Sequence, residues 1–549
     1  MRPVHLALAL GLAACSGPPA APPAGSPAPA ARGVVLISID ALRADSLGPY
    51  GAARPTTPFL DRLAERAVVF ENAFCEIPST LPSHLSMFTG LYPTEHGVLP
   101  PSGVLSAAIP TLPELLAAGG VRTFGHSEGG YVQGGYGFAR GFEEWTDTPY
   151  AADTDVERTF RRGLDSLSRL APGERFFLFL HTYSVHDPFA PPPGYAERFW
   201  SGPPPAGAFP PTGPELAAFN RGERAAVAGA ANWYRALYDA GVRYLDDVLA
   251  GFFADLERSG LAAQTTVILT SDHGEEFLEH GRFVHTQLYP ECLRVPLVVV
   301  PPAASAPRRE RALAQLVDLA PTVLDLLGLA VPGGLAGRSL RAELEGSGTA
   351  AVTRGRAFGQ EEATEVRART VLRAVDGRLH QLARWSARPE ADGFWMGREL
   401  TFDAAPPALE FTAVAFARAR RVEARAGGER LAALDIGTEW ARYRIPLPPG
   451  GKRRVTLTAD GCDRPRELGR GADERCLSVK LAGTALDRTE LYDLAADPLA
   501  ARDLSAERAD LVRTLAGELR HYPEAARAPA VEQELTEEQL RQLRALGYL

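Results

Sequence analysis

The stretch "EIPSTLPSHLSMFTGLYPTEHGV", residues 76–98, decides how this chain is read. It sets a hydroxyl, Thr80, two residues before Pro82 and four before His84. Proline is accepted in the first turn of a helix, where its missing N–H costs nothing. The pattern predicts a helix beginning at Thr80. Its free N–H groups and dipole would favour an anion beside that hydroxyl. Thr80 also reads as a simple helix cap, and Ser79 and Ser83 offer neighbouring hydroxyls.

Around this stretch lie short, apolar, β-branched runs: "GVVLISID" (33–40), "RFFLFLHTYSVH" (175–186), "TTVILTSDHG" (265–274) and "LRVPLVVVPP" (293–302). Helical patterns occupy 57–70, 111–120 and 238–260, the last ending at a glycine. Strands alternating with helices predict an α/β fold, a mostly parallel sheet sandwiched by helices. Ligands in such sheets sit beyond the carboxyl ends of the strands. Asp40, His181, His186, Asp272 and His273 fall there, so the topology gathers them on one rim. From about residue 387 the chain turns to short strand-like runs with Gly/Pro turns. Residues 387–486 read as a β-sandwich-like insertion splitting a hairpin between 369–384 and 489–494. Residues 487–549 then supply a return strand and a helix capped by Thr536.

The chain has 549 residues, 45% of them hydrophobic, enough for more than one domain. Its net charge of −9 argues against a nucleic-acid polymer as partner. Of 58 basic residues only two are lysines, Lys452 and Lys480, so the first 451 residues contain none. Residues 1–15, "MRPVHLALALGLAAC", have an early Arg, a short apolar run and a cysteine. They resemble a bacterial lipoprotein signal, with Cys15 as the lipid-bearing residue anchoring an exported protein to a membrane. Residues 16–32 are a Pro/Ala-rich tether. Export permits disulfides. Cys462 and Cys476 flank a polar stretch and are expected to pair, while Cys75 and Cys292 read either as a second bridge or as buried thiols.

"SIDALRADSLGPYG", the opening stretch, "SDHGEEFLEHG" and "LRVPL" occur in one order with fitting spacing. Together they closely resemble the sulfatase family within the alkaline phosphatase superfamily, from about residue 33 to 386 and again at 489–505. The resemblance implies a catalytic domain at 33–386 and a metal site at Asp40, Asp272 and His273. Carboxylate oxygens and imidazole nitrogens suit a divalent ion, here zinc, manganese or calcium. Sulfatases carry a second acid after the first; here it is Ala41. Their nucleophile is a Cys or Ser converted to formylglycine, followed by any residue, Pro, any residue and Arg. Thr80 and His84 stand at those ends, and Thr80 cannot become formylglycine. Sulfatases grip sulfate with an Arg, two Lys and His residues. Here the corresponding segments offer His84, His126 with Glu128, His186 and His285, and no lysine.

These replacements suggest a second metal held by His186 and His285. Dinuclear relatives add an Asp where this chain has Thr182, so the third ligand is either missing or supplied by His181 or Asp187. Arg43 and Asp45 read as a structural ion pair, and Glu275 and Glu276 as partners of the site or a solvated face. The expected chemistry is attack by a metal-activated Thr80 on a phosphodiester or phosphonate monoester, through a covalent intermediate. The substrate is a small-molecule, glycan or lipid ester. Alternatives are a sulfuric ester hydrolase without formylglycine, a phospho-head-group transferase, and a non-catalytic glycan-binding surface lipoprotein.

Overall fold

The computed structural model describes residues 31–99, 103–147, 156–220, 224–302, 307–347 and 356–362, most of 366–461, and 479–482, 487–522, 530–531 and 537. Cys15, Cys462, Cys476 and Thr536 lie outside these residues.

Eight strands form the main sheet: β1 (Gly33–Ile39), β2 (Val68–Phe74), β3 (Arg122–Ser127), β4 (Glu144–Asp147), β5 (Phe176–Thr182), β6 (Thr265–Thr270), β7 (Leu297–Val300) and β8 (Arg308–Gln315). Their order is β8-β2-β7-β6-β1-β5-β3-β4. Only β7 runs against its two neighbours, so the sheet is mostly parallel, as expected.

β1 shows why this strand sits at the centre. All seven of its residues are buried. Successive side chains point to opposite faces. Val34 and Leu36 join the core on the face of α2 (Thr80–Thr89), with Leu81, Leu85 and Phe88. Val35, Ile37 and Ile39 join the core on the other face, with Val242, Leu245 and Leu249 of α5 (Ala230–Arg258). A strand buried on both faces has no solvated side, which accounts for its continuous apolar run.

The expected helix at 57–70 is shorter. It ends within α1 (Pro58–Ala64), and "VVF" belongs to β2. Buried β-branched Val68 and Val69 pair with β7 and β8, and this packing overrides the helical pattern. The expected helices at 111–120 and 238–260 form as α3 (Leu112–Ala118) and within α5. α4 (Val156–Leu167) packs against β3 and β5.

Beyond the main sheet, Arg356–Glu362, Val366–Val375, Arg378–Ala387 and Asp487–Asp493 form an antiparallel sheet. The last two strands pair directly, so everything from 388 to 486 leaves and re-enters between hydrogen-bonded neighbours. Two further four-stranded sheets lie within that segment. They share a small core that includes Phe411, Val422, Ile436, Ile445, Val455 and Leu457. Cys75 and Cys292 are free and buried; the Cys75 thiol donates to the Cys292 carbonyl at 3.6 Å, so this pair is two thiols.

Candidate metal centre and nucleophile

The rim forms where β1, β5 and β6 end. β1 pairs in register with both neighbours, Ser38 opposite His181 and Thr270. Asp40 follows β1, His181 is the penultimate residue of β5, and Asp272 and His273 follow β6. Sheet register alone thus delivers these residues to one place. α2 begins at Thr80 and brings its first turn over them, with Ser79 in the cap position. Thr80 is therefore a helical residue. Ser83 donates to the Asp272 carbonyl at 2.7 Å, which ties the helix to the β6 loop.

One oxygen or nitrogen from each of Asp40, Asp272 and His273 lies within 4.8 Å of the others. All three side chains are fully buried. Asp272 Oδ1 accepts N–H groups from Ala41 at 3.1 Å and His273 at 2.9 Å. Its Oδ2, and both carboxylate oxygens of Asp40, have no hydrogen-bond partner. Burial, then the charge of Asp272, holds the Asp40 carboxyl well above its usual range. Burial opposes ionisation of Asp272 too, but the imidazoles of His273, His84 and His181 and the Ala41 N–H hold it at about 2. Two buried carboxylates with orphaned oxygens are expensive without a compensating charge.

His273 donates from Nδ1 to the Gly274 carbonyl at 2.9 Å, because a carbonyl only accepts. Its Nε2 therefore carries a lone pair, 3.2 Å from Asp272 Oδ2 and 3.3 Å from Thr80 Oγ1. His186 has the same arrangement: Nδ1 donates to the Asp187 carbonyl at 3.1 Å, and Nε2 lies 3.9 Å from Asp40 Oδ1. A backbone carbonyl that fixes the tautomer and frees the other nitrogen is the usual environment of a metal-binding histidine. Burial pushes His273 and His285 down to about 3 and His181 well below its usual value, so these imidazoles are neutral. Orphaned carboxylates and neutral imidazoles together fit a divalent cation.

His186 and His285 lie near each other, with ring centroids 5.7 Å apart. His285 also stacks on His273 at 4.0 Å. His181 faces the Asp40 side, its Nε2 3.5 Å from Asp40 Oδ2. Asp187 sits behind His186, its Oδ2 3.4 Å from Nδ1.

Two expectations need correction. His84 stands where an anion clamp was expected, but both nitrogens are engaged. Nδ1 donates to the Thr80 carbonyl at 2.9 Å, and Nε2 lies 2.8 Å from Ser38 Oγ, accepting from it. Burial lowers the His84 pKa, so it is a neutral strut beneath the first turn of α2. His126 lies away from the rim, bonded to Thr146 Oγ1 at 2.8 Å and Ser166 Oγ at 3.0 Å. The spacing to Glu128 drew attention to it, yet only Glu128 supports the site, receiving bonds from Thr182 Oγ1 and the Tyr183 N–H.

Glu275 and Glu276 are fully buried, which rules out a solvated face. Burial raises Glu275 and Asp187 to about 7. Arg43 and Asp45 form the expected ion pair, at 2.7 Å. Ser38 and Ser127 were not singled out in the sequence, where nothing distinguishes them from other strand-end serines. They contact His84 and His181.

A family model described as Sulfatase matches residues 32–329, more than half of the chain. Arylsulfatase K of Bos taurus is 38% identical over 106 residues, 19% of this chain and 20% of that protein. N-acetylglucosamine-6-O-sulfatase of Bacteroides thetaiotaomicron is 38% identical over 112 residues, 20% of each. The matched segments thus span about a fifth of these relatives' length. Among solved structures, one in complex with its substrate D-glucosamine-2-N,6-O-disulfate has a TM-score of 0.59 at 18% identity, covering 89% of this chain and 96% of that one. The phosphonate monoester hydrolase of Agrobacterium radiobacter has a TM-score of 0.56 at 18% identity, covering 92% and 100%. At such identities these likenesses concern the fold alone. The family match over residues 32–329, together with the motifs that built the rim, makes this chain a member of the sulfatase family.

Proposed function

We propose that the chain is a metal-dependent hydrolase of phosphodiesters or phosphonate monoesters, with Thr80 as nucleophile. The observation that carries the reading is the Thr80 hydroxyl, 3.3 Å from a lone pair of His273 at the start of α2. Threonine has no route to formylglycine, so in this reading its own oxygen attacks. A divalent cation held by Asp40, Asp272 and His273 would supply charge that favours the alkoxide and the phosphoryl oxygens.

The chain's residues do the rest. The first turn of α2 presents N–H groups to the anion, and His84 holds that turn through the Thr80 carbonyl. Thr80 Oγ1 forms a bond to phosphorus as the bond to the leaving oxygen breaks, and the alcohol departs with a proton. Water then attacks the phospho-Thr80 ester, releasing the product acid and restoring the hydroxyl. His186 and His285 stand beside this centre, their rings 5.7 Å apart, and would offer imidazole nitrogens to a second cation. Support for phosphorus over sulfur comes from the missing lysines, since the first 451 residues contain none to neutralise a sulfate.

The second reading is a sulfate-ester hydrolase acting without formylglycine, favoured by the curated sulfatase relatives. A side-by-side assay of aryl phosphodiester, aryl phosphonate and aryl sulfate separates the two. Preference for the phosphorus esters, lost in Thr80→Ala, is expected. Aryl sulfate turnover that survives in Thr80→Ala would overturn it. We also place the protein outside the cytoplasm, anchored through Cys15, on the strength of residues 1–15. Radiolabelled fatty-acid incorporation that is lost in Cys15→Ser tests this.

A further inference from the structure

We infer that His280 is a positioning residue whose shared proton clasps the loop carrying His285 to the C-terminal segment, and that release of this proton sets an alkaline limit on turnover. The inference rests on the reading above in one respect, that His285 belongs to the chemistry of the rim.

The proton follows from geometry. His280 Nε2 lies 3.2 Å from the Ala500 carbonyl, which only accepts, so Nε2 donates. Nδ1 lies 2.5 Å from Glu291 Oε1. Two lone pairs do not approach so closely, so a proton lies between them and the pair is electrically neutral. Tyr289 stacks on the His280 ring, with centroids 3.5 Å apart, and its π-face favours an imidazolium. Burial opposes the charge on His280, but the bond to Glu291, the charge of Glu291, the Ala500 carbonyl and the charge of Glu276 together raise its pKa. The other charged groups nearby are engaged elsewhere. Glu490 accepts the Tyr289 hydroxyl, Asp497 accepts the Arg502 N–H, and the Arg502 guanidinium pairs with Glu507.

The clasp joins two distant parts of the chain. His285 lies five residues beyond His280. Gln287 ties this loop together from within, donating to Glu276 at 2.6 Å and to the His280 carbonyl at 3.3 Å. Three bonds then hold it to the antiparallel sheet and the turn that follows. Gln381 donates to the Leu288 carbonyl at 2.6 Å, Tyr289 donates to Glu490 at 3.3 Å, and His280 donates to Ala500. Ala500 itself holds a left-handed φ of 52°, uncommon without glycine, and is buried. Of the three bonds, only that of His280 is backed by a shared proton. Losing the proton turns a lone pair toward a buried carboxylate whose Oε2 has no hydrogen-bond partner, with the charge of Glu276 nearby. The ring is pushed away from Glu291, its bond to Ala500 goes with it, and His285 loses its fixed place against His273, on which it stacks at 4.0 Å.

The test uses the full-length protein with the divalent cation that supports turnover, assayed on whichever of aryl phosphodiester, aryl phosphonate and aryl sulfate it cleaves fastest. His280→Gln cannot take up the proton, and His280→Lys keeps a cation to about pH 10. A pKa raised in the folded state gives stability that is complete below the unfolded value of about 6.5 and lost as pH rises through the folded one. The Tm gap between wild type and His280→Gln is therefore expected to be widest near pH 6 and to close toward pH 9. Wild-type kcat should fall on the alkaline side, and this limb should move up by about one pH unit or more in His280→Lys. His280→Gln should lose about fivefold or more in kcat near pH 6, a loss that shrinks toward pH 9. A Tm gap constant over this range would overturn the shared proton. A gap that closes, with the alkaline limb unmoved in His280→Lys, would overturn the positioning role. If the Lys variant does not fold, a kcat loss in His280→Gln that stays constant with pH overturns it instead. Wild-type kcat in His285→Ala would overturn the reading of His285 as part of the rim, and the alkaline limit with it, while the Tm gap still reports the proton.

Discussion

The two halves of the rim are built by different means. Asp40, Asp272 and His273 follow the adjacent central strands β1 and β6, whose register places them together. His186 and His285 hang from loops. His186 lies four residues beyond the end of β5, and His285 follows the two-residue strand Phe283–Val284, where Val284 adopts a left-handed φ of 72°. Asn220 clamps that short strand through both its N–H and its carbonyl at Phe283. The first half is therefore fixed by the core of the protein, and the second by local polar contacts. A site assembled this way keeps the Asp40, Asp272 and His273 cluster rigid and leaves its other half open to change.

The largest effect expected is on the rigid half. Thr80→Ala removes the hydroxyl and one buried methyl, so Tm should fall by only a few degrees while kcat falls at least about 10³-fold. A fall of less than tenfold with aryl phosphodiester would shift the chemistry to Ser79 or Ser83. Next is the cation itself. The orphaned oxygens of Asp40 and Asp272 are costly without a cation, so a bound cation would stabilise the fold by mass action, about 2.7 kcal/mol at a hundredfold excess over Kd. Chelation should lower the Tm of wild type. In an Asp40→Asn, Asp272→Asn double variant the same treatment should leave Tm unchanged. A double variant that still loses Tm on chelation would place the stabilising ion elsewhere.

A smaller effect separates positioning from chemistry. His84→Asn breaks the link between Ser38 and the Thr80 carbonyl without removing a group that faces substrate. We expect kcat to fall about 10- to 100-fold, the scale seen when a residue that orients a site is lost, with metal content unchanged. If metal is lost as well, His84 acts through Asp272, whose Oδ2 lies 3.5 Å from its Nδ1.

How much of this was legible in the sequence follows the same division. The rigid half could be read because strand ends are marked by a switch from apolar β-branched residues to Asp and His, as in "LISID" and "VILTSDHG". The edge strand β8, "RRERALAQ", escaped notice because its first half is charged and partly exposed. β2 was hidden inside a helical pattern that only pairing with β7 and β8 resolves. In the loop-built half, residue types were visible but directions were not. His126 and His186 look alike in sequence, yet one is consumed by Thr146 and Ser166 and the other turns a lone pair to the rim. Glu275 and Glu276 are adjacent and both buried, yet only Glu275 approaches His285; Glu276 receives Thr286 and Gln287.

That last contrast yields the smallest effect, one on stability alone. Burial, reinforced by the charge of Glu291, pushes Glu276 up to about 8 from an ordinary 4.5. A carboxyl raised in the folded state binds its proton more tightly there than in the unfolded chain. Its contribution to stability is thus complete below about pH 4.5 and is lost as pH rises through 8. Glu276→Gln mimics the protonated side chain and cannot ionise. The variant should match wild type in Tm near pH 5 and exceed it increasingly toward pH 8, while binding the same metals. A constant Tm difference across that range would mean that Glu276 is ionised at all of these pH values, with a positive charge beside it that offsets its burial.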